Sequence, residues 1–212
     1  EPYLAASGIQ FTRNTPDMTA ASSIAASNAG NYDLHLALHS NAVGSGQQPT
    51  VRGIDAYYYP TSVSGKRFAD IAANNLQLIY PLPGMVKTVP TTRLGEVARV
   101  RAPGVLIELG YHDNPLDADW IRNNINNIAE NLVLSLTEYF GIPFNMPQPI
   151  QVGYVSTEGS NLNIRSRPDI GAPIIGKIPN GSEIVIYNRL PEWDLAGYGG
   201  VMGYVNSRYV AV

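Results

Sequence analysis

The sequence predicts two folded parts: an α/β sandwich with a mainly parallel sheet over residues 1–141, and a small all-β barrel over residues 152–212. In the first part, strand-like and helix-like segments alternate, which is typical of βαβ units. Residues 142–151 contain three prolines, and such a composition is typical of a short, stiff linker. The remaining residues form short apolar runs separated by Gly, Pro, Asn and Asp, as expected for a small barrel.

Hydrophobic spacing predicts the individual elements of the first part. Strands are predicted at 8–13, 32–39, 54–59 and 104–109, where apolar residues alternate or run together. Helices are predicted at 19–30, 63–80 and 115–140, with Pro115 and Asp117 suited to the start of the last helix and Gly141 to its end. That last helix carries one apolar stripe, formed by Ile121, Ile125, Ile128, Leu132, Leu136 and Phe140.

Composition excludes several classes of function. The chain of 212 residues has no cysteine, which excludes a disulfide scaffold, a thiolate metal site and a cysteine nucleophile. Its net charge of −3 argues against a nucleic-acid partner, which would require a basic footprint. No apolar run approaches the roughly 20 residues of a membrane span. The glycine-containing segment 44–48 lacks the strand and helix context of a nucleotide-binding loop.

His39 stands where the apolar pattern of the strand at 32–39 stops. The side chains of a strand alternate between faces, so His35 and His39 share one face. They lie roughly 13 Å apart along the strand and cannot both bind one metal ion. His39 is placed at the carboxyl end of its strand, where open α/β sheets bind ligands. Two interpretations remain open: a metal ligand, or a polar residue at a strand end.

Glu108 is the one carboxylate inside the apolar segment GVLIELGYHDN at 104–114. An ionised carboxylate in such a strand is costly without a partner. It is therefore either a strand-end residue bonded to nearby amides or a general acid/base whose pKa is tuned by burial. If the sheet is parallel, His39 and Glu108 emerge at the same edge, as in a metal hydrolase.

Three segments carry a resemblance to a known family: GIQFTRN at 8–14, DLHLALHSNA at 33–42 and GVLIELGYHDNPLDADWI at 104–121. In this order they resemble the zinc-dependent N-acetylmuramoyl-L-alanine amidases of cell-wall autolysins and phage endolysins. The strand at 53–60 is also similar, and the resemblance covers residues 1–141. It implies a peptidoglycan hydrolase that cleaves the amide bond between N-acetylmuramic acid and L-alanine.

The resemblance also implies roles for individual residues. His39 matches a zinc-ligand histidine, and Glu108 matches the catalytic glutamate that works with zinc-bound water. Asn41 and Asn114 match positions at the same edge, and His112 lies on the loop after Glu108, so these three are expected to bind substrate. Zn²⁺ is the implied cofactor.

The chain also departs from the family pattern. The family has an earlier histidine and a glutamate at the start of its first helix, and no residue of this sequence matches either. Residues 1–7 are interpreted as the last turns of that helix, so the other zinc ligands are expected upstream of this chain. The alternatives are a piece of a longer amidase or a catalytically inactive cell-wall-binding protein with a degenerate amidase domain.

The basic segment 87–101 has two open interpretations. It contains four basic residues and a single acid. It forms either one wall of a substrate groove or a solvated loop.

Residues 152–212 resemble a bacterial SH3 domain. The resemblance is carried by Leu162 to Arg165, by Gly176 and Gly181, by Trp193, and by Gly203 to Val205. Such domains imply binding to peptidoglycan through aromatic side chains. The aromatic residues expected to contribute are Tyr187, Trp193, Tyr198 and Tyr204. For each of them, a place in the small core is the competing interpretation.

The two resemblances together predict a secreted or wall-associated monomer of bacterial or phage origin. Its partner is peptidoglycan, with no nucleic acid and no membrane span.

Overall fold

The computed structural model describes residues 1–44 and 50–212, so most of the glycine-containing segment at 44–48 lies outside the described residues. Contacts divide the chain into two units. The α/β unit is Arg13–Phe140, and the barrel unit combines Glu1–Thr12 with Gly141–Val212.

The elements are numbered along the whole chain. The α-helices are α1 (Pro2–Ala6), α2 (Ala20–Ala29), α3 (Val63–Gln77), α4 (Gly95–Ala98), α5 (Pro115–Asn123) and α6 (Ile125–Phe140). The strands of the α/β unit are β1 (His35–Asn41), β2 (Ile54–Tyr58), β3 (Val86–Pro90) and β4 (Gly104–Tyr111). Those of the barrel unit are β5 (Gln151–Val155), β6 (Leu162–Arg165), β7 (Ile174–Ile178), β8 (Glu183–Arg189), β9 (Trp193–Tyr198), β10 (Val201–Asn206) and β11 (Val210–Ala211).

The α/β unit is built on a four-stranded mixed sheet with the order β1-β4-β2-β3. Strand β1 is parallel to β4, β2 is parallel to β3, and β2 and β4 are antiparallel. The predicted α/β fold with a mainly parallel sheet is thus confirmed, with the β2–β4 pair as its antiparallel element. The parallel pairing of β1 with β4 brings the ends of these two strands to one edge, which is what the candidate site requires.

Burial explains why the segment at 104–109 is almost entirely apolar. Val105, Leu106 and Ile107 are at most 3% exposed, because β4 is a central strand with neighbours on both sides. On one face of the sheet, Leu106 packs with Ala37 and Val97. This small cluster fixes α4 against the strands that carry His39 and Glu108.

Helices α3 and α6 pack against each other, and α3 packs against β2 and β3. Their interface contains polar contacts as well as apolar ones. Asn131 of α6 donates to the backbone oxygen of Asn75 on α3 at 2.9 Å, and Asn75 donates to Ser135 Oγ at 3.0 Å. Asn131 and Ser135 are buried, so these hydrogen bonds offset the cost of removing the Asn131 amide nitrogen and the Ser135 hydroxyl from water.

Two predictions for elements of the α/β domain are wrong. The strand expected at 8–13 is absent: among residues 1–44 and 50–212 these residues belong to no strand, and Phe11 is 42% exposed. The helix expected at 115–140 is two helices, α5 and α6, separated at Asn124. Asn124 donates its side-chain amide to the Trp120 carbonyl and accepts from the Ile128 backbone amide through its own carbonyl. It therefore ends one helix and starts the next.

The barrel unit contains a seven-stranded sheet with the order β11-β5-β8-β9-β10-β6-β7, which fits the predicted small all-β part. Its core is a cluster of buried aliphatic side chains that includes Val155, Leu162, Ile164, Ile178, Ile184, Ile186 and Val205. Alternate residues of β8 enter this core, as expected for a strand with one buried face.

Residues 1–12 pack with the barrel unit, although the sequence analysis placed residues 1–7 at the end of an amidase helix. They do form a short helix, α1, which contacts β8. Ala6 and Ser7 are at most 2% exposed, and the Asn145 backbone amide donates to Ser7 Oγ at 3.1 Å. The ring of Tyr3 stacks on Phe144 with 6.2 Å between centroids.

Among the described residues, no helix combines the length and the apolar character needed to cross a membrane.

Candidate functional site

The ends of β1 and β4 bring the two main sequence candidates together. His39 is the register partner of Glu108 in the parallel β1–β4 pair, so the two residues share one edge of the sheet, as the sequence analysis expected. On the other side of β4, Asp55 of β2 is the register partner of Glu108. Register neighbours on one sheet face have side chains about 5 Å apart at the Cβ atoms. The edge thus combines one imidazole with two carboxylates.

Glu108 is a half-buried carboxylate with an unused acceptor. Among the described residues, its Oε2 atom is buried and has no hydrogen-bond partner. Burial raises the pKa of Glu108 above its usual value. The charges of His39 and, less strongly, His112 lower this pKa, whereas the Asp55 carboxylate raises it further. A carboxylate of this kind can take up a proton from a molecule at the sheet edge and give it back.

Asp55 is bonded to the phenol of Tyr57 on the same strand. The Tyr57 hydroxyl donates to Asp55 Oδ2 at 3.2 Å. Burial, together with the Asp55 charge, raises the pKa of Tyr57 to about 12. The phenol therefore keeps its proton at neutral pH and remains a hydrogen-bond donor beside Glu108.

Glu96 is a functional candidate that the sequence analysis missed. It lies on α4, within the segment 87–101 that was interpreted as a groove wall or a solvated loop, and it is only 7% exposed. Its Oε2 atom is 3.0 Å from His39 Nε2, and its Oε1 atom is 3.9 Å from His35 Nε2. Burial lowers the pKa of His35, whereas the Glu96 charge acts in the opposite direction. The one available signal was that Glu96 is the single acid in an otherwise basic segment.

His112 lies on the turn after β4 and is held against β1. Its Nδ1 atom is 3.1 Å from both the hydroxyl and the carbonyl oxygen of Ser40, and its backbone amide donates to the Asn41 carbonyl at 2.9 Å. The imidazole is exposed. The side chain of Asn41 accepts from the Ala42 amide at 2.8 Å. The fold therefore places both residues at the edge that carries His39.

Asn114 has a structural position. It is 4% exposed, accepts from the Leu116 amide as the N-cap of α5, and donates to the Val51 carbonyl at 3.2 Å. The Asn114 side chain is thus buried and bonded to the protein backbone, which corrects the expectation that it faces a substrate. An asparagine before Pro115 is a common helix start.

Asp117 links the residues just before β2 to the end of β4 by accepting hydrogen bonds from both. It is fully buried and accepts from Arg52 Nε at 2.8 Å and Tyr80 Oη at 2.6 Å through Oδ1. Its Oδ2 atom accepts from the backbone amides of Gly53 and Tyr111. Gly110 lies directly over it with φ +93°, where a side chain would meet the carboxylate at 3.1 Å. The strand that carries Glu108 is thus anchored three residues further on.

The described residues do not by themselves form a zinc site. Catalytic zinc is usually held by three protein ligands, and within residues 1–44 and 50–212 no group of three histidine or acidic side chains is placed to hold a metal. Next to Glu108 at the sheet edge is His39, whose Nε2 atom lies 3.0 Å from Glu96 Oε2.

The four aromatic candidates of the barrel unit differ in exposure. Tyr187, Trp193 and Tyr198 are partly exposed, and the Tyr187 ring lies against Gly197, where a side chain would be 3.0 Å from it. Tyr204 is only 2% exposed. For Tyr204 the expectation of a wall-binding surface is therefore corrected: it lies in the interior of the barrel unit, close to Gly8 and Leu195.

Comparisons with known proteins give two family matches. A family described as N-acetylmuramoyl-L-alanine amidase matches residues 3–138, and the bacterial SH3 domain family matches residues 160–211. No match is found among curated protein sequences.

Similar folds occur among solved structures. The N-acetylmuramoyl-L-alanine amidase from Clostridium difficile 630 is 18% identical, with a TM-score of 0.50 over 58% of this chain and 66% of that one. Cwp6 from Clostridium difficile is 19% identical, with a TM-score of 0.54 over 65% of this chain and 24% of that one. The catalytic domain of the CD27L endolysin targeting Clostridia difficile is 27% identical, with a TM-score of 0.48 over 56% and 62%. The chain spans less than two thirds of each of these structures.

Proposed function

Because the chain belongs to the N-acetylmuramoyl-L-alanine amidase family, we propose that its α/β unit hydrolyses peptidoglycan. The bond cleaved is the amide that joins the lactyl group of N-acetylmuramic acid to L-alanine of the stem peptide. The barrel unit, which matches the bacterial SH3 family, holds the protein on the cell wall. This function requires secretion or release to the wall of a bacterium.

The observation that carries the proposal is the position of Glu108. Its carboxylate lies at the sheet edge beside His39, with a buried oxygen that has no partner among the described residues. A water molecule at this edge would complete the hydrogen bonding of Oε2. The raised pKa of Glu108 favours an exchangeable proton over a permanent charge.

The proposed reaction uses Glu108 as general base and then as general acid. Glu108 takes a proton from water as the water oxygen bonds to the amide carbonyl carbon. The carbon–nitrogen bond then breaks, and Glu108 gives the proton to the leaving amine of L-alanine. His112 and Asn41, at the same edge, bind the substrate, while the Tyr57 phenol donates its single proton to Asp55.

The test is hydrolysis of purified cell walls by the full chain and by Glu108→Gln. We expect the variant to lose about 10²–10⁴-fold in rate, because a positioned acid/base contributes an effect of that size. Glu138→Gln is the matched control, since Glu138 is exposed on α6. Mass spectrometry of the released peptides should find free N-terminal L-alanine. Walls lysed equally well by Glu108→Gln, or cut at another bond, would contradict the proposal.

Zinc dependence is a separate part of the proposal, supported by the family resemblance and by the position of His39. Because the described residues do not complete a zinc site, no step of the reaction is assigned to the metal. Metal analysis of the purified protein should find about one zinc per chain, and His39→Ala should lower that content. A chain without zinc whose activity is insensitive to a chelator would remove the cofactor and leave the role of Glu108 intact.

Wall binding is tested with the full chain and insoluble walls. Tyr187→Ala and Trp193→Ala should each weaken retention, because these partly exposed aromatic side chains can stack on sugar or peptide. Tyr209→Ala is the matched control, since Tyr209 is 41% exposed in the same unit and is not one of the proposed contacts. Equal retention of all three variants would contradict this surface.

A further inference from the structure

We propose that Lys87 determines substrate specificity by binding a carboxylate of the stem peptide, on the residue that follows L-alanine. This inference rests on the proposed function, because it takes Glu108 as the position of the scissile amide. Lys87 belongs to the basic segment 87–101, for which two interpretations, a groove wall and a solvated loop, were open. For this residue the groove wall is the better interpretation.

Lys87 lies in one row with the candidate catalytic residues, across all four strands of the sheet. Glu108 of β4 is the register partner of His39 on one side and of Asp55 on the other. Asp55 is in turn the register partner of Lys87 on β3. Register partners project from the same face of a sheet. The row therefore runs along one face from His39, on the edge strand β1, to Lys87, on the edge strand β3.

The neighbouring row shows which face of the sheet this is. Leu106 is the register partner of Ala37 and of Tyr57, and these side chains pack with Val97 of α4. The opposite face of β2 and β4 is closed, because its side chains are 0% exposed, namely Ile54, Ala56 and Ile107. The row that ends in Lys87 is instead open, since every member of it is at least partly exposed. A substrate can therefore lie along this row.

The ammonium group of Lys87 is not used by the protein itself. Lys87 is exposed, and within residues 1–44 and 50–212 no carboxylate is at ion-pair distance from it. Its neighbour in the row, Asp55, accepts from the Tyr57 hydroxyl at 3.2 Å. Lys66, the other lysine of the α/β unit, is paired with Asp70. Because an ammonium group has three donors and no acceptor, Lys87 is available to an anionic ligand.

The chemistry of the substrate decides which part of it reaches Lys87. Once its lactyl carboxyl group is bound as an amide, N-acetylmuramic acid has no ionised group, so the nearest negative charges are on the peptide. Neighbouring strands are about 4.8 Å apart, which places the Cα atoms of Lys87 and Glu108 roughly 10 Å apart. In an extended peptide, the residue after L-alanine lies about 7 Å from the scissile amide. The long lysine side chain can cover the difference.

The experiment compares two soluble substrates of the full chain. They are N-acetylmuramoyl-L-alanyl-γ-D-glutamyl peptides with the α-carboxylate either free or converted to a carboxamide, so they differ in one charge. We expect the wild type to prefer the carboxylate about 10-fold in kcat/KM, an effect typical of a hydrogen bond to a charged group. Most of the difference should be in KM, because an interaction remote from the reacting bond stabilises substrate and transition state alike. If the peptides are cut slowly, their inhibition of wall hydrolysis gives the same comparison.

Substitutions of Lys87 test whether it is the source of this preference. Lys87→Gln should cut both substrates equally, Lys87→Arg should retain the preference, and Lys87→Glu should reverse it. Lys177→Gln is the matched control, since Lys177 is an exposed lysine of the barrel unit and its loss removes the same charge. Exposed substitutions have small effects on stability, so these variants should fold. Salt screens exposed charges, so the wild-type preference should also shrink as the salt concentration rises.

Equal cleavage of the two substrates by the wild type, or a preference that survives in Lys87→Gln, would overturn the inference. A preference that is lost to the same extent in Lys177→Gln would be an effect of overall charge and would overturn it as well. The proposed function fails in a different way, through the absence of free N-terminal L-alanine from both substrates and from cell walls. The two failures are therefore distinguishable.

Discussion

At the scale of single residues, Asp117 shows how a buried carboxylate can organise a functional edge. Arg52, Tyr80 and two backbone amides all donate to it. Burial raises the pKa of Asp117, but the hydrogen bonds from Tyr80, Arg52 and the two amides outweigh that effect and hold the pKa below its usual value. The charged form is therefore the one that stabilises the fold.

Replacement of Asp117 by Asn should destabilise the α/β unit by about 3–5 kcal/mol, because one carboxamide cannot accept all four hydrogen bonds. A group whose pKa is lowered on folding contributes stability above its unfolded pKa, about 4, and loses it as the pH falls through the folded value. The gap between wild type and Asp117→Asn should thus be full at pH 7 and shrink below about pH 4.

Urea unfolding followed by Trp120 fluorescence measures this gap. Asp119→Asn is the matched control, since Asp119 lies on the same helix and forms an exposed pair with Arg122, which is worth about 0–1 kcal/mol. Equal effects of the two variants, or a gap that is independent of pH, would disprove the role of Asp117.

The sequence predicted His39 and Glu108 because each interrupts an apolar strand near its carboxyl end. It did not predict Glu96, because α4 has only four residues and such a helix leaves no periodic pattern. It predicted a helix-start role for Asp117 but not its bonds to Arg52 and Tyr80, which are 65 and 37 residues away along the chain. Long-range partners of polar residues are set by the tertiary fold and leave no local signal.

At the scale of elements, the packing of α4 on β4 depends on the absence of a side chain at residue 104. A Cβ atom there would be 2.6 Å from Val100 Cγ2 and less than 3 Å from two carbonyl oxygens of α4. Since backbone atoms cannot yield as the end of a flexible side chain can, a Gly104→Ala change must push α4 away from the sheet. Glu96 would then move with it.

Gly104→Ala should therefore cost about 1–3 kcal/mol of stability, as overpacking usually does, and should also disturb the His39 ring signals. Gly84→Ala is the matched control, because a side chain at Gly84 would meet nothing within 4 Å. Chemical unfolding measures the first effect and histidine NMR the second. A Gly104→Ala protein as stable as Gly84→Ala, with unchanged His39 signals, would show that α4 is not held in this way.

The sequence predicted most of the α/β elements but not every boundary. The apolar stripe from Ile121 to Phe140 is continuous in its spacing. The helix is nevertheless interrupted at Asn124, because the Asn124 side-chain amide donates to the Trp120 carbonyl, which a continuous helix would pair with a backbone amide. The buried Asn131 and Ser135 of α6 were also not expected. Their partner, Asn75, lies on another helix, so apolar periodicity could not find them.

At the scale of the whole molecule, the assignment of the first residues decides where one unit ends and the other begins. The family match begins at residue 3, and the family resemblance of the sequence implies that residues 1–7 belong to the amidase domain. The contacts of Glu1–Thr12 are instead with the barrel unit. Gly8, with φ +77°, turns the chain beside Leu195 and the Tyr204 hydroxyl. We therefore expect residues 1–8 to stabilise the barrel unit.

Each unit contains one of the two tryptophans, Trp120 in the α/β unit and Trp193 in the barrel unit, so a single-tryptophan background reports on one unit at a time. Removal of residues 1–8 in a Trp120→Phe background should lower the thermal midpoint seen by Trp193, by about 4–8 °C for each kcal/mol of packing lost. The same deletion in a Trp193→Phe background should leave the Trp120 midpoint unchanged. The reverse pattern, with only the Trp120 midpoint lowered, would assign these residues to the amidase domain and restore the boundary that the sequence suggested.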